Sequence, residues 1–378
     1  MDDVKKTQLY ELHKKLEAKF VSFAGYSMPV QYTDGVLKEH LHTRKYSGFF
    51  DVSHMGQITV WPKNGKKHEL IKCLEYLMPC DLISLPENRQ CYSILTNTHG
   101  GIIDDIMIAN RGTHYHIVVN ASQKYADFKH LKEHIADTGD VYLAENKSLI
   151  AIQGPMSHKI ISEICPDTLK MKFMDQYQTK ILANSCLISR SGYTGEDGFE
   201  ISIDNKNVIS LTQNILENEN LKPVGLGARD SLRMEAGLCL HGNDLNQQIT
   251  PPEASLSWSI HKTRRERNSS RSNFLGSKII LNQLTDGVDY IRIGLLPSGK
   301  APMRQGSEIY ADLSGENKIG VITSGGFSPT LSRPISMGRI LKSFSEQNTE
   351  IFVKVREKLL PATITKIPFI PNKYKKTL

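Results

Sequence analysis

The sequence predicts an α+β fold that ends in a small all-β domain. Segments with helical spacing alternate with short β-like runs over most of the chain. From Tyr290 to Ile367, in contrast, only short β-like runs occur, broken by Gly, Pro and Ser. The 378 residues suffice for two or three domains at about 100–200 residues each.

Each element follows from its own pattern. Leu9, Leu12, Leu16 and Phe20 recur near helical spacing and predict a first helix that reaches Phe20. Gly237 is a plausible stop for a later helix. Further helices are predicted over 67–78, 122–136 and 226–236. Strands are predicted over 57–60, 92–96, 102–108, 115–119, 149–152 and 199–203, and in the final domain over 291–295, 318–323, 351–355 and 362–364.

Composition excludes several classes of protein. Apolar residues make up 39% and charged residues 23%, as in an ordinary globular protein. The net charge of +7 permits an acidic substrate or partner but lacks the concentrated basic footprint of a nucleic-acid-binding protein. No apolar run is long enough to span a bilayer. The six scattered cysteines form no C-x-x-C pair, so reduced thiols are expected and a zinc site is not.

The first amino acids contain neither an apolar signal core nor an Arg-rich transit pattern. This start predicts a cytoplasmic protein. The alternative is the mitochondrial matrix, if the chain is a trimmed precursor.

Two adjacent aspartates follow a pair of glycines in Gly100-Gly101-Ile102-Ile103-Asp104-Asp105. Neighbours in a strand face opposite ways, so at most one carboxylate enters a given pocket. Apolar neighbours would partly desolvate it, which raises a carboxyl pKa and suits proton handling. The alternative is an edge strand with two solvated aspartates.

Two other segments are candidates for ligand binding. Three glycines between Gly192 and Gly198 permit close approach to a flat ligand, and Glu200 could accept the paired N–H donors of a pterin edge. A hairpin turn with a surface glutamate explains the same pattern. Arg229 and Arg233 share a helix face and could bind a carboxylate, or simply pair with acidic neighbours.

Three weaker patterns have structural explanations. The polar stretch 262–273 is expected to be a linker or exposed face, or alternatively a docking patch for an acidic protein in which Arg264 and Arg265 take part. The His-x-His pairs at 40/42 and 114/116 would share a face on a strand, but no third ligand stands out. No metal site is therefore predicted.

Taken together, these segments resemble the glycine cleavage T-protein family of aminomethyltransferases over about residues 7–378. The resemblance rests also on these further segments: 23–32 (FAGYSMPVQY), 50–55 (FDVSHM), 153–155 (QGP), 237–244 (GLCLHGND), 301–304 (APMR) and 368–371 (PFIP). His241, where many relatives carry Tyr, and the loop 325–328 depart from the family pattern.

The resemblance implies three domains arranged as a ring around a central folate cavity. Residues 1–52 with 145–224 would form the first, 53–144 with 225–284 the second, and 285–378 a C-terminal β-barrel. The implied reaction takes the aminomethyl group from lipoylated H-protein and leaves the carbon on tetrahydrofolate as the 5,10-methylene form, with release of ammonia and dihydrolipoyl H-protein. No nucleic acid and no membrane take part.

The resemblance also implies roles for individual residues. Asp105 matches the catalytic carboxylate, and Glu200 matches the acid that grips the pterin edge. Arg229 matches a substrate-binding arginine. The remaining folate- or substrate-binding positions are Tyr92, Asn120, Phe173, Tyr193, Trp258, Arg292 and Tyr374.

Two alternatives share this scaffold. A folate-dependent demethylase of a small methylated compound would use the same carboxylate and pterin grip. A folate-binding iron–sulfur assembly or tRNA-modification factor would carry a Lys-Gly-Cys-Tyr-x-Gly-Gln-Glu segment, which the sequence lacks.

Overall fold

The computed structural model describes residues 4–267 and 269–376. The ends of the predicted domains at 1 and 378, and Asn268 of the basic stretch, lie outside these residues. The helices are α1 Tyr10–Lys15, α2 Gly35–Lys45, α3 Lys67–Leu77, α4 Lys124–Ile135, α5 Ser157–Ile164, α6 Asn205–Ile215, α7 Leu226–Glu235 and α8 Ser277–Asp286.

The strands fall into four groups. They are β1 Lys19–Phe23, β2 Tyr26–Gln31, β3 Ser47–Asp51, β4 Gly56–Pro62, β5 Arg89–Thr96, β6 Ile102–Asn110, β7 Tyr115–Val119, β8 Gly139–Leu143, β9 Lys147–Gln153, β10 Gln176–Ile181, β11 Asn184–Ser189, β12 Gly198–Asp204, β13 Leu221–Pro223, β14 Tyr290–Pro297, β15 Glu308–Tyr310, β16 Lys318–Ser328, β17 Arg333–Leu341, β18 Glu350–Val355 and β19 Lys358–Thr365. Strands β1 and β2 form a hairpin by themselves.

A six-stranded sheet has the order β10-β11-β12-β9-β3-β13. Its buried face packs on α5 and α6 through a core that includes Phe49, Ile150 and Phe199. Helix α7 lies against another apolar cluster of the same sheet, which includes Phe50, Ala151 and Leu232. Strand β12, which carries Glu200, is therefore held between two neighbours in the sheet.

A five-stranded sheet has the order β5-β6-β7-β4-β8. Its core includes Ile58, Leu74, Ile106 and Leu131, so helices α3 and α4 cover the sheet. Strand β6, which carries the two aspartates, is an interior strand because it pairs with both β5 and β7.

The C-terminal strands close a barrel in the order β14-β17-β16-β15-β18-β19. Its interior is filled by apolar side chains such as Leu295, Ile309 and Ile340, which are 0% exposed. The predicted α+β class and the β-barrel at the C-terminal end are thus confirmed.

The first predicted helix is too long. Helix α1 ends at Lys15, and Glu17 has φ +56, a left-handed conformation that does not continue a helix. Phe20 therefore lies in β1, where its ring packs 4.8 Å from that of Tyr10. The apolar spacing arose from two elements that fold onto each other.

The basic stretch is not a linker, and the docking role predicted for Arg264 is wrong. Arg264 is 1% exposed, and its Nη1 lies 2.5 Å from Oε2 of Glu75 on α3. Arg271 pairs with both Glu75 and Asp81. Arg265 is exposed but donates to the backbone oxygens of Ser257 and Ile260. The stretch therefore fastens the segment before α8 to the five-stranded sheet unit.

The histidine pairs do not form the strand half-sites that their spacing suggested. His40 and His42 lie on helix α2, not on a strand. His114 lies before β7 and stacks on Trp61 with ring centroids 4.1 Å apart, whereas His116 is buried. Within the described ranges, no cluster of three or more His, Cys, Asp or Glu side chains is arranged to hold a metal ion.

Candidate active site

Strand β6 divides its two aspartates between opposite faces. Asp104 is 0% exposed, whereas Asp105 on the other face is half-buried. The alternative of an edge strand with two solvated aspartates is wrong, because β6 is an interior strand.

The Asp105 carboxylate is held by two side chains. Asn120 Nδ2 donates to Oδ1 at 2.8 Å, and the Tyr92 hydroxyl donates to Oδ2 at 3.3 Å. Burial raises the pKa of Asp105, while His241, Asn120 and Tyr92 each offset part of that rise. Asp105 is therefore a partly desolvated acid whose orientation is fixed and whose proton affinity is increased.

Tyr92 also contacts an exposed aromatic ring. The rings of Tyr92 and Trp258 lie 5.0 Å apart at 32°. Trp258 is 59% exposed, which is unusual for so large an apolar side chain. An exposed indole next to the Asp105 partner provides a surface on which a flat ring could stack.

Arg229 lies near Tyr193 without a hydrogen-bond partner for one of its nitrogens. Its guanidinium carbon is 4.9 Å from the Tyr193 ring centroid, and Nη1 is buried and unpaired in the described part of the protein. Burial lowers the pKa of Arg229, and the Glu200 charge opposes this effect. A buried donor without an acceptor is costly unless a ligand supplies one.

Arg233, one turn later on α7, is occupied by structural partners. It is 1% exposed and pairs with Asp230 at 2.8 Å and Asp244 at 2.9 Å. The ion-pair interpretation therefore applies to Arg233, whereas Arg229 keeps the capacity to bind an anion.

Glu200 extends from β12 on the half-buried face. Its neighbours Phe199 and Ile201 are 0% exposed and point into the core. Ser191 Oγ donates to Glu200 Oε2 at 2.6 Å. A carboxylate can accept several hydrogen bonds, so this contact orients Glu200 without using up its capacity.

Asp105, Tyr92, Tyr193 and Arg229 share one neighbourhood. Burial raises the pKa of Tyr92, and the Asp105 charge raises it further. Burial also raises the pKa of Tyr193, on which Arg229 and Asp105 act in opposite directions. Tyr193 of the glycine-rich hairpin lies against Arg229 of α7 and donates its hydroxyl to Cys239 O, and Cys239 belongs to the apolar cluster on which Tyr92 of β5 packs. The five-stranded sheet, the glycine-rich hairpin and helix α7 therefore converge at this point.

The C-terminal tail returns to the hairpin. The rings of Phe173 and Tyr374 stack at 4.2 Å and 9°, and Lys373 N donates to Gly195 O at 2.8 Å. Gly195 has φ +76, and a Cβ there would lie 2.7 Å from Asn372 Oδ1. Glycine is therefore required where the tail crosses the turn next to Tyr193.

Arg292 joins the barrel to the end of α7. It is 7% exposed, and it donates from Nε to Ala254 O at 2.8 Å and from Nη1 to Gly237 O at 2.9 Å. These bonds place its guanidinium mainly among backbone carbonyls, which indicates that Arg292 positions the segments around the site.

Sequence reasoning missed Asp127 on α4. It is 0% exposed and lies beside Asp104 behind the site. Asp127, Leu131 and Ile135 recur every four residues and are all buried. A carboxylate within the apolar stripe of an amphipathic helix was the signal that could have revealed it.

Among the residues that the structure describes, every helix is too short or too polar to cross a bilayer.

Comparison with known families gives two matches that together cover most of the chain. The GCVT N-terminal domain matches residues 9–264, and the glycine cleavage T-protein C-terminal barrel domain matches residues 292–370. The second match coincides with the closed barrel from β14 to β19.

Individual relatives agree with the family matches. The chain is 46% identical to the mitochondrial aminomethyltransferase of Dictyostelium discoideum, over 99% of this chain and 94% of the relative. It is 41% identical to the mitochondrial aminomethyltransferase of Flaveria trinervia, over 99% and 91%. The crystal structure of the glycine cleavage system aminomethyltransferase T from Bartonella henselae superposes with a TM-score of 0.92 at 38% identity, over 99% of this chain and all of that chain. This chain therefore belongs to the glycine cleavage T-protein family of aminomethyltransferases.

Proposed function

We propose that the protein transfers the aminomethyl-derived carbon of lipoylated H-protein to tetrahydrofolate, as the aminomethyltransferase of a glycine cleavage system. The observation that carries this proposal is that a partly desolvated acid, Asp105, and Arg229, whose buried Nη1 has no partner in the described structure, both lie near Tyr193. Such an arrangement suits a ligand that brings both an anionic group and a reacting nitrogen.

The residues present fit a reduced folate. Trp258 and Tyr92 offer ring faces, Glu200 offers a carboxylate to N–H donors of a pterin edge, and Arg229 offers an unsatisfied donor to an anion. Tetrahydrofolate, when bound, supplies the nitrogens that accept the transferred carbon. The other proposed pocket residues are Asn120, Phe173, Tyr193, Arg292 and Tyr374.

Asp105 has two tasks in this proposal. Its ionised form would stabilise positive charge that develops on the transferred carbon, because the charge acts in a partly desolvated site. Its raised pKa also suits it to hold a proton while the bonds from the carbon to the amino nitrogen and to the lipoyl sulfur are replaced by bonds to two folate nitrogens, with release of ammonia and the dihydrolipoyl thiol. Asn120 and Tyr92 keep the carboxylate aimed at the same point.

The domain boundaries remain part of the proposal. We propose a first domain of residues 1–52 and 145–224, a second of 53–144 and 225–284, and a third from 285, arranged around a central folate cavity. The memberships of the two sheets and of the barrel support these boundaries.

The proposed partner and location are supported by the same family membership. Lipoylated H-protein is the proposed carbon donor, and the names of the Dictyostelium and Flaveria relatives favour the mitochondrial matrix over the cytoplasm. The alternative function, demethylation of a small methylated compound, would need the same folate grip but a different donor.

One assay separates the two functions. Purified protein with tetrahydrofolate is given either aminomethyl-loaded H-protein or a free N-methylated amino acid such as N-methylglycine. Release of ammonia and formation of 5,10-methylene-tetrahydrofolate from the first donor alone supports the proposal. Turnover of the small amine alone, measured as 5-methyl-tetrahydrofolate and the demethylated amine, would support the demethylase. H-protein without its lipoyl group is the matched control.

A further inference from the structure

A second pair of carboxyl groups lies directly behind Asp105. Asp104 on β6 and Asp127 on α4 are both 0% exposed, and they lie within hydrogen-bonding reach of each other. Two buried carboxylates in contact cannot both be ionised without a large penalty from desolvation and repulsion. The pair must therefore hold one proton at neutral pH.

The hydrogen bonds show where the negative charge lies. Asn120 donates its backbone N–H to Asp104 Oδ2 at 2.9 Å and its side-chain Nδ2 to Asp104 Oδ1 at 2.8 Å. In the described ranges, neither oxygen of Asp127 receives an N–H or O–H donor. N–H donors favour the ionised form of a carboxyl group. The charge therefore lies on Asp104, and the proton lies on Asp127 and points toward Asp104.

The other charged or titratable groups around the pair are Asp105 and His241. His241 Nε2 bonds Ile103 O at 2.8 Å and lies 3.9 Å from Asp104 Oδ1. A carbonyl oxygen only accepts, so Nε2 carries the hydrogen. Burial raises the pKa of both Asp104 and Asp127, the charge of Asp105 raises both further, and His241 offsets part of the rise at Asp104.

The amide of Asn120 joins this pair to Asp105. Nδ2 lies 2.8 Å from Oδ1 of Asp104 and 2.8 Å from Oδ1 of Asp105. An amide nitrogen has two hydrogens, so one can point to each carboxylate. Nδ2 also lies 3.1 Å from the backbone oxygen of Asp105. If Asp104 stopped accepting, this backbone oxygen would compete with Oδ1 of Asp105 for the hydrogens of the amide.

We propose that Asp127 is a positioning residue for the transfer reaction, because its proton keeps Asp104 a fixed acceptor that locks the Asn120 amide toward Asp105. This inference rests on the catalytic role proposed above for Asp105. Asp127 is not one of the reacting groups; it acts on Asp105 through Asp104 and Asn120.

Two substitutions test the role of the proton. In Asp127→Asn the new amide N–H donates to Asp104 in place of the carboxyl proton, so we expect kcat and the acid limb of the kcat/KM profile to match wild type. Asp127→Leu keeps the branched shape of the side chain, with a larger volume, but removes the donor. We therefore expect kcat to fall roughly 100-fold through misplacement of the reacting groups, with KM for tetrahydrofolate little changed.

Either of two kinetic results would overturn the inference. An acid limb that moves to lower pH in Asp127→Asn would show that wild-type Asp127 is ionised, since loss of a nearby negative charge lowers the pKa of Asp105. An Asp127→Leu enzyme that folds and keeps its kcat would show that Asp127 only fills space. If Asp127→Leu fails to fold, the pH profile of kcat/KM for Asp127→Asn and the infrared spectrum decide between the two possibilities.

Infrared spectroscopy reads the proton without any turnover. We expect the C=O stretch of a buried protonated carboxyl at pH 7 in wild type and in Asp105→Asn, and its loss in Asp127→Asn. Persistence of the band in Asp127→Asn, or its absence from wild type, contradicts the assignment. If the bands follow the expectation but Asp105→Asn remains fully active, the proton pair stands and the proposed role of Asp105 fails.

Discussion

Helix α7 and the basic stretch 262–273 both contain arginines with buried guanidinium atoms, but they differ in whether those arginines have an ion-pair partner. Arg264 of the stretch is 1% exposed and its charge is paired with Glu75 of α3 through Nη1 and Nη2, although its Nε has no partner in the described structure. Arg229 of α7 lies over Tyr193 and leaves Nη1 buried without an acceptor in the described structure. The two regions show that a buried charge with a fixed partner indicates architecture, whereas one left without a partner indicates a ligand.

The same contrast applies to the acids. Glu75 and Asp81 are neutralised by Arg264 and Arg271. Among the described residues, in contrast, the side chains that donate to Asp105 are the uncharged ones of Asn120 and Tyr92. Burial raises the pKa of Asp105 and Arg271 lowers that of Asp81 against its burial. Reactivity is preserved where charge is left uncompensated.

The largest effect is expected at Asp105. Asp105→Asn keeps the shape of the side chain but removes the charge, the titrating proton and one of the two acceptor oxygens, so kcat should fall about 10²- to 10⁴-fold while folate affinity stays near normal. Steady-state turnover with loaded H-protein and calorimetric titration with tetrahydrofolate check the two parts. Full activity would exclude a catalytic role for Asp105.

In the basic stretch, Arg264→Met should lower the free energy of unfolding and leave catalysis unchanged. Removing one partner of a buried pair leaves Glu75 uncompensated, which costs about 3–5 kcal/mol of unfolding free energy. Denaturant unfolding measures this loss, and kcat per folded molecule should be unchanged. Lys262→Met, at an exposed position of the same stretch, is the matched control and should unfold like wild type.

Arg229→Met should show the opposite pattern. Loss of a charge-assisted hydrogen bond to an anionic ligand is worth about 1.5–3 kcal/mol, so KM or Kd for the ligand should rise about 10- to 150-fold. The free energy of unfolding should stay equal or increase, because no ion pair is broken. A loss of stability as large as that of Arg264→Met would remove the distinction between the two regions.

The smallest effect is expected at Tyr92. Its hydroxyl donates to the ionised form of Asp105 and lowers the pKa of that carboxyl. Tyr92→Phe should therefore raise the pKa of Asp105 and move the acid limb of kcat/KM to higher pH, with the plateau nearly unchanged. A limb that stays in place, or moves to lower pH, would show that the 3.3 Å contact has no such role in solution.

Local patterns predicted elements where one stretch of chain decides its own conformation. Strand β7 was predicted at its observed bounds, and α3 at 67–78 against the observed Lys67–Leu77. The first helix failed because the apolar residues after Leu16 pack back on α1 from a different element. Spacing shows that residues share a face, but not that they share an element.

The family resemblance supplied the roles proposed for the site residues, and spacing alone would not have done so. Two arginines four residues apart look equivalent in sequence. In the structure, Arg233 pairs with Asp244, eleven residues further along the chain, whereas Nη1 of Arg229 has no hydrogen-bond partner among the described residues. Asp127 was missed because a charge in a helix is ordinarily solvated, and only its proximity to Asp104 gives it a function.

The sequence by itself determined the α+β class, the C-terminal β domain and, through its motifs, the family. These depend on hydrophobic periodicity and on glycine positions, which act over a few residues. Tertiary structure alone decided which charges are paired. Arg264 pairs with Glu75, which lies 189 positions away in the chain, whereas Nη1 of Arg229 has no partner among the described residues. The reason is that the free energy of a buried charge depends on what lies within a few ångströms of it, and distance along the chain does not determine that.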